Sequence, residues 1–126
     1  MKFILRFLPA LFILFSCKSN QKKLFELLPD TGINFNNKVV DQEIENSFYF
    51  RNYYNGGGVA TGDINNDGLA DILLTSNMGE NKLYLNKGNF KFQDISQKAG
   101  LKQDSMWSTG VTMVDVNGDG WLDIYV

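Results

Sequence analysis

Downstream of residue 56, apolar residues come in short runs that turn-forming residues interrupt. Val59 to Gly62, Asp71 to Ser76, Lys82 to Asn86 and Phe90 to Asp94 are rich in Val, Ile, Leu, Tyr and Phe. An acidic stretch, Asn77-Met-Gly-Glu-Asn81 and Lys87-Gly88-Asn89 separate them. Such runs are too short for amphipathic helices and predict four strands. Lys87-Gly88-Asn89 reads as a tight hairpin turn, because Gly and Asn tolerate positive φ. After the fourth run, Ser96 is expected to cap one helical turn ending at Gly100. Upstream, Phe48-Tyr-Phe-Arg-Asn-Tyr-Tyr54 alternates loosely and reads as strand and core packing. Phe25-Glu-Leu-Leu-Pro-Asp-Thr-Gly-Ile33 echoes Phe92 to Leu101 with one residue fewer, as an outer strand would.

The runs belong to an internal repeat. Gly58-Val-Ala-Thr-Gly-Asp-Ile-Asn-Asn-Asp-Gly-Leu-Ala-Asp-Ile72 returns without gaps as Gly110-Val-Thr-Met-Val-Asp-Val-Asn-Gly-Asp-Gly-Trp-Leu-Asp-Ile124, at a constant offset of 52 residues. Four strands per repeat make a propeller blade. The expected fold is therefore all-β: a partial β-propeller with one full four-stranded blade and the start of a second, after an N-terminal signal peptide. The second copy stops at Asp123-Ile-Tyr-Val126, so a truncated repeat is expected, since about four to eight blades close a ring. The chain divides into 1–16 (signal), 17–23 (tether), 24–55 (N-terminal strands, including a ring-closing strand), 56–101 (first repeat) and 102–126 (second repeat).

The N-terminus has a basic start with Lys2 and Arg6, an apolar stretch from Phe7 to Phe15, and Ser16 before Cys17. This is the layout of an export signal, and the apolar stretch is too short to span a bilayer. Leu14-Phe15-Ser16-Cys17 resembles the lipobox of bacterial lipoproteins, which implies cleavage before Cys17 and acylation of that residue. Phe15 departs from the small residue usual at its position. Plain signal cleavage, or an uncleaved anchor with Cys17 an incidental thiol, is the alternative. Lys18, in place of an inner-membrane retention Asp, points to the outer membrane, and the polar residues to Lys23 form the tether.

Composition narrows the chemistry. The chain is 44% hydrophobic and 21% charged, with a net charge of −2. It carries no basic field for nucleic acid. There is no histidine and Cys17 is the single cysteine, which excludes Ser/His/Asp and Cys/His catalysis, histidine-bound zinc and an intramolecular disulfide. Loss of Lys2 and Arg6 with the signal leaves ten basic against 14 acidic residues, a net charge of −4.

A metal held here must be held by oxygen, and the acidic stretches supply it. Asp63, Asn65, Asp67 and Asp71 occupy positions 1, 3, 5 and 9 of the first loop; Asp115, Asn117, Asp119 and Asp123 occupy the same positions of the second. Gly68 or Gly120 at position 6 permits the backbone reversal, which lets the carbonyl of Leu69 or Trp121 face the same centre. An all-oxygen set on a flexible loop suits Ca²⁺ better than Mg²⁺, which demands a stricter octahedron. The bland alternative is an Asp/Asn-rich turn without metal. EF-hands and dockerins share the opening residues, but they use an acid at position 12, where this chain has Leu74 and Val126.

With Gly56-Gly-Gly-Val-Ala60 before the first loop and Ile72-Leu-Leu74 after it, the chain resembles FG-GAP repeats of integrin-type propellers. It is still more similar to VCBS-repeat lipoproteins of Bacteroidetes, some of which carry an ASPIC/UnbV domain further on. The resemblance covers residues 24 to 126 and is also carried by Asn81-Lys-Leu-Tyr-Leu-Asn86 and Phe90-Lys-Phe-Gln-Asp-Ile95. It implies structural calcium and a membrane-anchored binding or adhesion module with a protein or glycan ligand. Two other functions stay open: a fragment of a glycan-acting propeller enzyme, with Glu43, Glu45 or Asp104 as acid or base, and a non-functional truncated remnant.

Overall fold

A computed structural model of the protein describes residues 23–101 and 107–126. The expected signal segment, Cys17 and Asp104 lie outside the described residues, as does the expected tether except Lys23. Among the described residues, all regular structure is β, and no helix is long and apolar enough to cross a membrane.

Four strands, β1 (Val59–Gly62), β2 (Asp71–Leu74), β3 (Lys82–Asn86) and β4 (Phe92–Asp94), pair antiparallel in chain order. Two more, β5 (Thr112–Val114) and β6 (Asp123–Tyr125), pair antiparallel as a second sheet. Register follows the repeat: Gly62 faces Asp71 and Thr61 faces Ile72 in the first sheet, while Val114 faces Asp123 and Met113 faces Ile124 in the second. The four expected strands all form, the second and fourth shorter than expected. The chain is thus a four-stranded blade followed by the first hairpin of another.

β2 and β3 hold the core. Leu73 and Leu83 are register partners and both are buried, as is Tyr84 beside them. The two sheets meet where β1 lies against β5. A Cβ on Gly58 would stand 2.9 Å from the Gly110 Cα, and one on Gly62 would stand 2.7 Å from Leu122 Cδ1. Glycine at these places lets two blade edges approach closely.

Three local expectations are corrected. The turn between β3 and β4 runs from Lys87 to Lys91, closed by Lys87 N–H on Lys91 O (2.7 Å), with Gly88, Asn89 and Phe90 all at positive φ. The helical turn after β4 does form and ends at Gly100, with Ala99 N–H on Ile95 O (2.9 Å), but its cap is Asp94, whose Oδ1 accepts the Ser96 N–H (2.9 Å). Ser96 Oγ instead accepts the Leu83 N–H (3.0 Å), because burial against β3 gives that hydroxyl a backbone partner. The Ser96 hydroxyl, followed by the Ser96 N–H and Lys82, holds the Asp94 carboxyl below the usual range, against opposing desolvation. A depressed carboxylate stabilises the fold above its unfolded pKa, and that contribution is lost as pH falls through the folded value. Asp94→Asn is therefore expected to lower stability by about 0.5 kcal/mol at neutral pH, low in the range for caps because the carboxylate is solvated. The gap from wild type should close in melts below about pH 4.

The third correction concerns residues 24–55, where no strand forms. Asp30 and Gly32 both have positive φ, which breaks the extended path, and Leu24, Phe25 and Leu27 are exposed. Residues 31–40 form an irregular strap, pinned by Phe92 N–H on Thr31 O (2.8 Å), Tyr84 OH on Asn34 O (2.9 Å) and Tyr53 OH on Val40 O (2.8 Å). Phe48 to Tyr54 is a succession of turns, with Tyr49 and Phe50 N–H on Asn46 O and Tyr53 N–H on Phe50 O. Of its aromatics only Tyr53 is buried.

Candidate metal centre

The loops between β1 and β2 and between β5 and β6 close in the same way. In the first, Asp63 accepts the N–H of Asp67 (3.0 Å) and Gly68 (2.7 Å). In the second, Asp115 accepts the N–H of Gly118 (2.7 Å), Asp119 (3.2 Å) and Gly120 (2.8 Å). The position-3 amide bridges to position 5 in both: Asn65 Nδ2 donates to Asp67 Oδ2 (2.9 Å), and Asn117 Nδ2 to Asp119 Oδ2 (3.0 Å). Asp67 Oδ1 then accepts the Leu69 N–H, and Asp119 Oδ1 the Trp121 N–H, both at 2.8 Å. The side chains at positions 1, 3 and 5 are thus drawn into one hydrogen-bonded cluster per loop. At position 7 the structure shows what holds the N–H of Leu69 and Trp121.

Position 9 is placed differently. Asp71 is fully buried, with Oδ2 accepting the Ile64 N–H (3.1 Å) and Oδ1 the Asn86 N–H (2.8 Å). It joins the loop to β3 through backbone. Asp123 makes the same bond to Val116 N–H (3.1 Å). Among the described residues no group of three or more acidic, histidine or cysteine side chains gathers in metal-holding geometry. With Asn at position 3 and position 9 turned to the backbone, the carboxylates drawn together in each cluster are those at positions 1 and 5.

The donor chemistry nevertheless fits a hard cation. A carboxylate has roughly four lone-pair positions, and Asp63 uses two of them for N–H bonds. Backbone N–H groups, Gly120 foremost, hold the Asp115 carboxyl below its ordinary range, and the Trp121 N–H followed by the Asn117 side chain does the same for Asp119. These bonds favour the ionised forms of Asp115 and Asp119. In each loop positions 4 and 6 adopt positive φ: Asn66 and Gly68 in the first, Gly118 and Gly120 in the second. The position-4 requirement escaped sequence reading, although Asn and Gly are the residues that tolerate it.

These loops match a known repeat. The FG-GAP-like repeat family aligns with residues 63–126, from the first residue of the first loop through the whole second loop, just over half of the chain. The chain belongs to the FG-GAP-like repeat family. It is similar to cartilage acidic protein 1 of Xenopus tropicalis, 39% identical over 74 residues, which make up 58% of this chain and 11% of that protein. Cartilage acidic protein 1 of Mus musculus is 36% identical over 72 residues, 57% of this chain and again 11% of the relative. The chain thus spans about a tenth of the length of the curated relatives it matches. No solved structure matches it.

At the opposite end of the blade from the acidic loops lies a polar network that sequence reasoning missed. Asn37 Oδ1 accepts from Ser76 Oγ (3.0 Å) and Asn77 N–H (2.9 Å), while Asn37 Nδ2 donates to Asn77 Oδ1 (2.8 Å). Asn77 Nδ2 donates to Gly56 O (3.1 Å) and Ser108 O (3.2 Å), and Ser76 N–H reaches Asn81 Oδ1 (2.8 Å). Ser76, Asn77, Asn81 and Ser108 are all buried. The network ties the strap, the β2–β3 turn and the approach to β5 together. The Asn-rich turn sequence signalled a turn, but its partners lie 31 and 40 residues away. Asn77→Ala removes three side-chain partners and is expected to destabilise the chain by about 2 kcal/mol in urea unfolding.

Of the acids considered for catalysis, Glu43 and Glu45 are exposed and Glu45 lines an apolar cavity, while Asp104 lies outside the described residues.

Proposed function

We propose that the chain is a calcium-stabilised repeat segment of a membrane-anchored propeller, which presents a binding or adhesion surface in the bacterial cell envelope. The observation that carries this reading is the matching closure of two oxygen-rich loops, in which the position-1 carboxylate accepts the N–H of positions 5 and 6 in both copies at the 52-residue offset. Asp63, Asn65 and Asp67, with Asp115, Asn117 and Asp119, would hold the ions, joined by the Leu69 and Trp121 carbonyls, while Asp71 and Asp123, expected from sequence as further ligands, instead accept backbone N–H groups. Bound calcium would supply a positive centre that ties each hairpin turn together. The protein's own groups order the turn, favour the ionised forms of Asp115 and Asp119 and link each loop to its strands. No water-activating role is assigned to the ions, because such loops surround the cation with protein oxygen.

Anchoring rests on the lipobox resemblance at Leu14 to Cys17, and the VCBS lipoproteins of Bacteroidetes, some with an ASPIC/UnbV domain, are the relatives that resemblance favours. Lys18 supports the outer membrane. Protein or glycan is the ligand class that suits such a module, and catalysis is not part of the reading.

Calorimetric titration of the chain with CaCl₂ is expected to show two binding events, of which Asp119→Ala removes one and the additional Asp67→Ala the other. Heat exchange that is flat on a folded sample would sink the calcium assignment. Palmitate labelling that persists in Cys17→Ser would sink the lipid anchor.

A further inference from the structure

A cavity of about 330 Å³ opens beside the turns of residues 45–53, on Trp107, and is lined by Glu45, Phe50, Asn52, Tyr53, Trp107 and Thr109. Its wall is predominantly apolar. The Tyr53 and Trp107 rings stand 4.9 Å apart with planes inclined by 32°. Tyr53 is buried and its hydroxyl is engaged with Val40 O, so its ring is fixed in place. Trp107 and Phe50 are 40% and 58% exposed at the opening. Three aromatic side chains at a water-accessible cavity, with one carboxylate on its rim, are not needed for the core between β2 and β3.

We propose that this cavity binds a small quaternary or trialkylated ammonium compound that carries no anionic group. Such a cation has an apolar coat, which matches the wall, and a charge that aromatic faces attract. Glu45 provides the counter-charge. Asp41, which accepts a hydrogen bond from the Tyr54 hydroxyl, adds to the negative field. Burial pushes the Tyr53 phenol up, and the charges of Asp41 and Glu45 push it further, as a locally negative potential does. A neutral saccharide would need more hydroxyl partners than Glu45, Asn52 and Thr109 provide. A phosphocholine headgroup would bring its phosphate against Asp41 and Glu45. The free cation is therefore the occupant that charge complementarity selects, and the inference does not depend on calcium.

The test is titration of the chain with choline, read by fluorescence in a Trp121→Phe background so that Trp107 reports alone. Choline is expected to bind saturably, and neohexanol, in which carbon replaces the quaternary nitrogen, to bind roughly tenfold more weakly. Glu45→Gln, at an exposed position, should weaken choline binding by about threefold or more without moving the melting temperature. By calorimetric titration, because these variants lack the Trp107 reporter, Trp107→Leu should abolish choline binding; Trp107→Phe, which keeps an aromatic face, should restore part of it. No saturable choline binding, equal affinity for neohexanol, or an unchanged affinity in Glu45→Gln each overturns the proposal. So does tighter binding of glucose, of a trimethyl-lysine peptide or of phosphatidylcholine vesicles than of choline.

Discussion

Asp71→Ala is expected to lower stability by about 3 kcal/mol, and to do so with or without calcium. The carboxylate is fully buried and accepts the Ile64 N–H with one oxygen and the Asn86 N–H with the other. Its removal strands two backbone donors, one in the acidic loop and one on β3, and each lost charge-assisted bond or unsatisfied donor costs about 1–3 kcal/mol. Asp71→Asn keeps one acceptor but turns an NH₂ against the other N–H, so it should recover less than half of the loss. Urea unfolding in EDTA and in CaCl₂ measures both. If the defect vanished in EDTA, Asp71 would act through a cation and not through these two hydrogen bonds. Asp67→Ala is the counterpart: its oxygens accept from Asn65 Nδ2 and Leu69 N–H within the exposed loop turn, and its effect should be large in calcium and small in EDTA.

Calcium itself carries the second large effect. With affinities near 10⁻⁴ M, as in extracellular modules, 1 mM Ca²⁺ stabilises by about 1.4 kcal/mol per site, or about 2.8 kcal/mol over two sites. For a domain of this size the melting temperature in 1 mM CaCl₂ should exceed that in EDTA by on the order of 10 °C. Mg²⁺ at the same concentration should give less than half of that shift. An identical melting temperature in EDTA, CaCl₂ and MgCl₂ would remove calcium from the account while leaving the blade intact. The loops are also joined to each other, since Asn66 Nδ2 donates to Gly120 O at 3.2 Å. Ordering one loop therefore bears on the other, and the two sites should not titrate as strangers.

What the chain states openly is local. The order of the four strands of the blade and the oxygen donors at positions 1, 3 and 5 involve neighbours a few residues apart, and the return of the first hairpin after 52 residues repeats that local pattern. Alternating side chains and turn-forming residues leave their mark directly in the order of amino acids. Gly68 and Gly120 were likewise legible, because a left-handed backbone restricts the residue type at that one place. The cap after β4 was harder: Asp94 and Ser96 are both good cap residues, and only the demand of Leu83 N–H for a partner assigns them.

Tertiary structure decided the rest, for reasons of distance along the chain. Asn37 and Asn77 pair across 40 residues and Asn66 reaches Gly120 across 54; no periodicity records such meetings. Residues 24–55 look β-prone and form no strand, since Asp30 and Gly32 turn the chain away and the open edge of β4 donates one backbone hydrogen bond to it, from Phe92 N–H to Thr31 O. Among the aromatics of 48–54, burial singled out Tyr53 because its hydroxyl finds Val40 O. By itself the sequence determined the blade and its acidic turns, whose causes lie within a few residues. Folding alone determined which polar groups are buried together, because that depends on which distant segments arrive at the same point.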